Sequence, residues 1–507
     1  MLSRMTASLN HRGPDGTGTW LGLNGTVGLG QTRLAIIDLE SGKQPMFSAD
    51  GRYVIVFNGE IYNFQQLRNE LRQKGQPFQT NSDTEVIMEA FRVWGKDCLK
   101  RFHGMFAFAV FDIITQQLFL ARDQVGIKPV YYAHTADGFF FGSELKAILT
   151  VPNFPRRLNH KAVADFFVLG YPLMPHTFFG DICELEPGTW IHVAPSGTTR
   201  GRNWAWKRQE TDWNEAEALD RAEEALLQSL RDHLVSDVPV GAFLSGGIDS
   251  SLLVALLSVR LGIKLDTFTV KLGETTYDES PYAKAVASYL GTHHHEIVIN
   301  KDGVDFALVE RILDQFDQPF GDSSAIPTYL ISREIRQHVK VAIGGDGGDE
   351  MFGGYPRFRN ADVAQFIGYM PGWLLKAGYR GLQFSLGSAF PEIVRQAGRA
   401  FRGAYTQGGE RLLAMSCYVY PDQLSEVLHP DLLDVLDGYR PSFSVPESAG
   451  NSFGGRELID ATIAYALPGD YLRKVDVMSG AHGLEVRVPF LGAQVLDYAS
   501  QLPHSLR

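Results

Sequence analysis

With 507 residues the chain is long enough for two or more domains with full cores, and 44% hydrophobic against 21% charged residues is an ordinary soluble balance. A formal net charge of −11 argues against a general nucleic-acid binder and against attachment to an anionic membrane. Three cysteines, Cys98, Cys183 and Cys417, are too few and too scattered for a disulfide framework or a zinc cluster. No apolar run is long enough to span a bilayer, and the start lacks the apolar core of a signal peptide, so a reducing cytoplasm is the expected setting.

Up to about Val193 short β-type runs alternate with glycine turns. The predicted strands are Thr26 to Leu29, Tyr53 to Phe57, Ala107 to Phe111, Gln117 to Ala121 and Gly138 to Phe141. This half, 1–193, reads as an α+β sandwich. The polar stretch Ala194 to Gly201 predicts a boundary, with 194–212 as a linker. An amphipathic helix is expected over about Trp213 to Leu234, with Ala218, Ala222, Ala225, Leu226 and Leu230 on one face. It opens a second domain, 213–507.

From Val238 the rhythm becomes strand and helix in alternation. Strands are predicted at Val240 to Leu244, Asp266 to Val270, Glu296 to Ile299 and Val339 to Ile343. Helices are predicted at Ser250 to Leu261, at Ser280 to Leu290 and in the stretch before Gln337. Such alternation implies an α/β domain with a parallel sheet and ligands at the carboxyl ends of its strands. Two glycine-rich loops fall at those ends. In Phe243 to Ser251 a buried strand runs into Ser-Gly-Gly-Ile-Asp-Ser and opens a helix. Glycines there let backbone N–H groups approach phosphate oxygens, and Asp249 offers a carboxylate to magnesium, the chemistry of cleaving ATP between its α and β phosphates. No Walker-type loop competes. Gly344 to Glu350 follows the strand ending at Ile343 and adds carboxylates for a metal and for proton handling.

Two further stretches carry less. His293-His294-His295-Glu296 is read as non-metal, because neighbouring residues on a strand alternate faces. The aromatic segment from Arg357 to about Pro441 reads as a helical insertion that shapes either an acceptor pocket or a subunit contact.

The two loops, with Gly353-Gly354-Tyr355 and Gly483 to Leu491, resemble glutamine-hydrolysing asparagine synthetases. The first half extends the resemblance through His11 to Gly16, Arg33 to Asp38, Phe57 to Asn63 and Ser82 to Glu85, in the family's order. Nearly the whole chain is covered. The pyrophosphate loop alone also resembles GMP, NAD and argininosuccinate synthetases, which do not carry this first half.

The resemblance implies an Ntn-hydrolase-like glutaminase domain followed by a PP-loop ATP pyrophosphatase domain. It implies glutamine, ATP, Mg2+ and aspartate as ligands, an internal path for ammonia and a β-aspartyl-AMP intermediate; a homodimer is one expectation of assembly. Arg33 matches the group that grips glutamine's α-carboxylate, and Glu60 and Asp83 match those for its α-ammonium. Asn58 and Gly59 match the oxyanion donors. Leu244, Ser245, Gly246, Gly247, Asp249, Ser250, Val270, Gly344 and Gly345 match nucleotide contacts. Asp249 and Asp349 match metal or pyrophosphate carboxylates, and Asp346 matches an acidic proton acceptor. Glu485 and Arg487 are read either as acceptor contacts or as a structural pair.

The family's nucleophile is a cysteine at residue one whose own α-amino group is the base, whereas this sequence starts Met1-Leu2-Ser3. Neither Cys98 nor Cys183 replaces it, having no free α-amino group, and Cys98 is expected in the core. The family's first strand and a later lysine also have no counterpart, so the chain reads as clipped at both ends. Acceptors other than aspartate, such as sugar acids of surface polysaccharides or small antibiotic precursors, stay open. A non-catalytic binding remnant is the reading from another class.

Overall fold

The computed structural model describes residues 1–271, 278–298, 305–383, 392–406, 408–444 and 454–507. Eleven strands form in the first half: β1 (Gly16–Gly22), β2 (Val27–Arg33), β3 (Met46–Phe47), β4 (Tyr53–Ile61), β5 (Gly104–Asp112), β6 (Gln117–Arg122), β7 (Tyr131–Thr135), β8 (Gly138–Gly142), β9 (Cys183–Glu184), β10 (Thr189–Ala194) and β11 (Gly197–Arg202). They make a β1–β2 hairpin, a six-stranded sheet in the order β11-β10-β6-β5-β4-β3, and a three-stranded sheet β8-β7-β9. The pairings within these sheets are antiparallel.

Pleating divides β5 between two layers. Phe106, Phe108 and Val110 pack with Phe64, Leu67, Leu71, Val86 and Ile87 of the helices Phe64–Gln73 and Asp83–Trp94. Ala107, Ala109 and Phe111 turn the other way, onto Leu29, Val130 and Tyr132 of the smaller sheets. The α+β sandwich expected from the strand pattern is this stack. Each predicted strand lies in or overlaps an observed one, but β2 and β4 run on through Arg33 and Ile61. Their polar ends face a cavity rather than solvent, which hid them as strand. The stretch expected as a boundary is itself sheet: Ala194 pairs with Gly197, and β11 is the edge strand.

Among the described residues the second half holds five strands: β12 (Val240–Phe243), β13 (Asp266–Lys271), β14 (His293–Val298), β15 (Val341–Ile343) and β16 (Glu485–Arg487). Their order is β14-β13-β12-β15-β16, and every pairing is parallel. The predicted strand end Ile299 lies outside the described residues. No strand is predicted at β16, since three residues arriving from far along the chain carry no periodicity of their own. The chain leaves β12 in one direction, through β13 to β14, and resumes at β15 on its other side. The crevice of a parallel sheet opens at such a reversal, so the loops after β12 and β15 are neighbours.

The helix expected from Trp213 begins at Glu215, where Asn214 caps it in a reciprocal pair with Glu217. The helix after β12 spans Ile248–Ala255 and continues as a π-helical turn, Leu256–Arg260. The insertion is helical as predicted, with Pro356–Ile367, Gly372–Gln383 and Glu392–Tyr405 among its helices. Among the described residues no helix is long and apolar enough to cross a membrane.

Buried charge joins the halves. Glu184 accepts from Arg122 at 3.0 Å and from Arg473, and Asp476 accepts from Arg12 at 2.6 Å and Lys128 at 3.2 Å. Around these pairs one apolar cluster runs from Tyr62, Met105 and Val168 to Phe268, Tyr329 and Met478.

Candidate active sites

A cavity of about 660 Å³ lies at the ends of β2 and β4. Arg33, Asn58, Gly59, Glu60 and Asp83 all line it, as do Asp476 and Glu485 from the second half. Arg33 donates to the carbonyls of Leu39 (3.1 Å), Ile37 (3.1 Å) and Asp38 (2.6 Å), which fixes the guanidinium and leaves its other N–H groups for an anion. Gly59 sits at φ +135°, and a Cβ there would collide with the Met105 carbonyl, so only glycine fits. The Asn58 amide nitrogen is buried without a partner.

Glu60 is 5% and Asp83 4% exposed. Burial, then Asp83 and Glu485, raise the Glu60 carboxyl well above its usual range. Burial takes Asp83 to about 6, against hydrogen bonds from the Ile61 and Thr84 N–H groups. Burial thus disfavours having both carboxyls ionised at once, and one Glu60 oxygen has no partner. Two acids with an unpartnered oxygen, lining the same cavity as a fixed guanidinium, suit a ligand carrying an ammonium and a carboxylate. None of the three cysteines lines the cavity; Cys98 is buried, and burial pushes its thiol up.

The second site stands at the sheet reversal. Gly246 has φ +86°, and a Cβ there would lie 2.7 Å from the Ala283 nitrogen. Ser250 Oγ accepts from Ser245 N (3.1 Å) and meets Ser245 Oγ at 3.0 Å, and Gly247 N donates to Ser245 Oγ (3.1 Å). These bonds shape a tight loop at the start of the Ile248–Ala255 helix. The second loop closes on it: a Cβ on Gly345 would come 3.3 Å from Ser250 N, and one on Gly348 would come 2.5 Å from Asp249 Oδ2. Gly344 N donates to Arg487 O (2.7 Å), hanging this loop from β16. Leu244 is wholly buried, so its main chain is the part left to border the loop, while Val270 is half-buried on the core.

Asp249, Asp346 and Asp349 come together between these loops. Burial, then Asp349 and Asp346, raise Asp249 to about 6. Burial also raises Asp346 and Asp349. Neighbouring like charges favour a divalent cation, whose binding relieves them, so the carboxylates of Asp249 and Asp349 have the chemistry magnesium takes.

The structure adds residues that sequence reasoning passed over. Lys474 Nζ donates to Asp322 (2.9 Å) and Ser324 (2.8 Å) and acts electrostatically on Asp346. Tyr355 donates to Glu350 at 2.6 Å, and Arg357 donates to Tyr471 OH at 2.8 Å. One signal was available: Asp470 and Lys474 are four apart on a helical stretch and share a face. Glu485 and Arg487 are not side by side with these groups. Their side chains pair at 2.8 Å, and Arg487 also holds the carbonyls of His233 and Val235 and lies 3.8 Å from Glu60. They belong to the seam beside the first cavity.

The histidine tract also departs from expectation. His294 turns away to Thr267 (3.0 Å), but His293 and His295 share a face and converge on Asp266, with candidate ligand atoms within 4.8 Å of one another. The three histidines do alternate faces, and it is strand register that brings Asp266 of β13 beside His293. This cluster lies at the amino ends of β13 and β14, away from both loops.

A family model described as a glutamine amidotransferase domain matches residues 1–204, and one described as asparagine synthase matches 221–507. A "Putative asparagine synthetase [glutamine-hydrolyzing]" of Mycobacterium tuberculosis is 36% identical over 99% of this chain and 78% of its own length. "Asparagine synthetase [glutamine-hydrolyzing] 1" of Bacillus subtilis is 32% identical over 100% of this chain and 78% of its own. "Amidase chry2" of Gibberella zeae is 32% identical over 70% of this chain and 55% of its own. With two glycine loops and three aspartates at a parallel-sheet reversal, and a separate cavity in the preceding sandwich, the chain belongs to the glutamine-hydrolysing asparagine synthetase family.

Proposed function

We propose that the protein uses ATP to amidate aspartate to asparagine, through β-aspartyl-AMP and with ammonia from glutamine, releasing AMP and pyrophosphate. The carrying observation is the convergence of Asp249, Asp346 and Asp349 between two touching glycine loops, beside Lys474. A fold kept only for binding has no need of carboxylates whose mutual repulsion costs stability until a cation arrives.

In this reading Ser245, Gly246, Gly247 and Ser250 cradle the pyrophosphate end of ATP, with Gly344 and Gly345 beside the nucleotide. Asp249 and Asp349 would hold magnesium, which neutralises charge on the leaving pyrophosphate. Asp346, its carboxyl raised by burial, takes a proton as ammonia attacks the acyl carbon. In the first half Arg33 grips glutamine's α-carboxylate, Glu60 and Asp83 its α-ammonium, and Asn58 with Gly59 would donate to the oxyanion once a nucleophile attacks the amide carbon; none of the three cysteines lines this cavity to be that nucleophile. The domains 1–193 and 213–507 would then divide the two chemistries.

With ATP, magnesium and an ammonium salt, aspartate is expected to yield pyrophosphate and asparagine in equal amounts. Pyrophosphate from a sugar acid but not from aspartate would move the reading to that acceptor. Nucleotide binding with no pyrophosphate from any acid would leave a binding role.

The first cavity has its own signature. Because Glu60 is raised in the empty pocket and an ammonium favours its ionised form, glutamine binding releases a proton. Affinity is therefore expected to strengthen as pH rises, by up to about tenfold per unit while Glu60 still holds its proton. Titration calorimetry in two buffers of different ionisation heat reads this directly; zero proton release would remove Glu60 from the ammonium site.

A further inference from the structure

Two charged groups beside the second site each keep a buried atom without a hydrogen-bond partner. Asp470 Oδ1 is buried and accepts no hydrogen bond, and Arg357 Nε is buried and donates none. Both are held in place. Asp470 lies near the end of the π-helical stretch Thr462–Tyr471, which carries Pro468 and leads directly into the helix Leu472–Gly480. Wide helical turns of this kind recur at functional sites. Arg357 follows the turn after the second glycine loop; its guanidinium lies 4.4 Å from the Tyr355 ring centre and 6.0 Å from that of Tyr471, with one nitrogen on the Tyr471 hydroxyl.

These residues border the reacting groups. Arg357 acts electrostatically on Asp349 and on Asp470. Lys474, one turn after Asp470, acts on Asp346. A chain of alternating charge thus runs from the metal carboxylate through Arg357, Asp470 and Lys474 to the proton acceptor. Lys474 already holds Asp322 and Ser324, so the unspent capacity lies at Arg357 and Asp470. Burial, then Asp322, raise the Asp470 carboxyl to about 7, so a cation arriving beside it is favoured. Buried charged groups left without partners mark places where a ligand completes the set.

We propose that Arg357 and Asp470 recognise the two charges of an α-amino acid acceptor, Arg357 taking its α-carboxylate and Asp470 its α-ammonium. This rests on the amidation reading above and narrows it: a sugar acid supplies neither an ammonium nor a second carboxylate, whereas aspartate supplies both at the end away from the activated side chain. The two residues select the acceptor and position it; the chemistry belongs to the groups between the loops.

The test uses the whole chain with ammonium as nitrogen donor and measures pyrophosphate release and direct binding. Asp470→Asn and Arg357→Gln are each expected to raise KM for aspartate at least about tenfold while kcat stays within about threefold. Asp470→Asn should also gain on succinate, which lacks the ammonium, relative to aspartate. That shift in selectivity is a readout a merely disturbed pocket does not give. Unchanged KM for aspartate in both variants, or a native protein that uses succinate as well as aspartate, would overturn the assignment. Calorimetric titration with aspartate separates the two levels. Binding to the native chain and to neither variant supports the site even if no acid yields pyrophosphate, an outcome that sinks only the amidation reading. Equal binding to all three, or none to the native chain, overturns the site.

Discussion

Replacing Asp249 by asparagine is expected to lower aspartate-dependent ATP–pyrophosphate exchange by about 10²–10³-fold, the scale on which one preorganised electrostatic group contributes to a transition state. The substitution keeps shape and removes one charge from a cluster of three. Because Asp349 and Asp346 already disfavour the Asp249 carboxylate, its loss relieves repulsion in the empty site. Thermal stability of the ligand-free variant should therefore hold or rise while exchange collapses. That opposition separates a functional carboxylate from a structural one, whose removal would lower both. The pH sign follows from the raised value of about 6. Below it protons compete with magnesium, so the native protein should need more magnesium as pH falls through 6, and the variant should lose that dependence. Exchange within threefold of native would take Asp249 out of the metal site.

The largest stability effect is expected at Glu184. Its carboxylate is 1% exposed and lies between Arg122 and Arg473, themselves 2% and 3% exposed. Glu184→Gln would take from Arg122 and Arg473 the one carboxylate that both contact, and breaking a buried ionic set in this way typically costs about 3–5 kcal/mol. Arg122 comes from the sandwich and Arg473 from the helix that carries Lys474, so the loss falls on the seam that orients the two sites. The exposed pair Arg157–Asp181 is the control: Arg157 is 76% exposed, and Arg157→Ala should leave the unfolding midpoint nearly unchanged. Urea unfolding midpoints measure both. A Glu184→Gln midpoint close to that of the control would mean that the seam is held by its apolar cluster alone.

Much of the fold was legible from local pattern. The runs ending at Phe57 and Phe111 announced β4 and β5, and the alternation after Val238 announced the parallel sheet. Both glycine loops declared themselves because their chemistry is carried by residues within a few positions of one another. Arg33, Asn58, Glu60 and Asp83 were legible only through the resemblance, since singly each has an ordinary surface or turn reading. The structure placed all four around one cavity. What escaped were contacts closed over long separations. β16 is three residues long and joins the sheet more than 140 positions after β15. Arg487 meets Glu60 across the seam, Asp266 meets His293 and His295 through strand register, and Arg357 reaches Tyr471 across the insertion.

The amino-acid sequence by itself determined the two-part architecture, the phosphate-type loop and the inventory of carboxylates, because propensity, periodicity and turn chemistry act between near neighbours. Only the tertiary structure decided which of those carboxylates share a site, which arginines are spent holding the halves together, and which charged atoms remain unpaired. Those outcomes depend on burial and on the meeting of distant segments, where the loss of water makes each unmatched charge count.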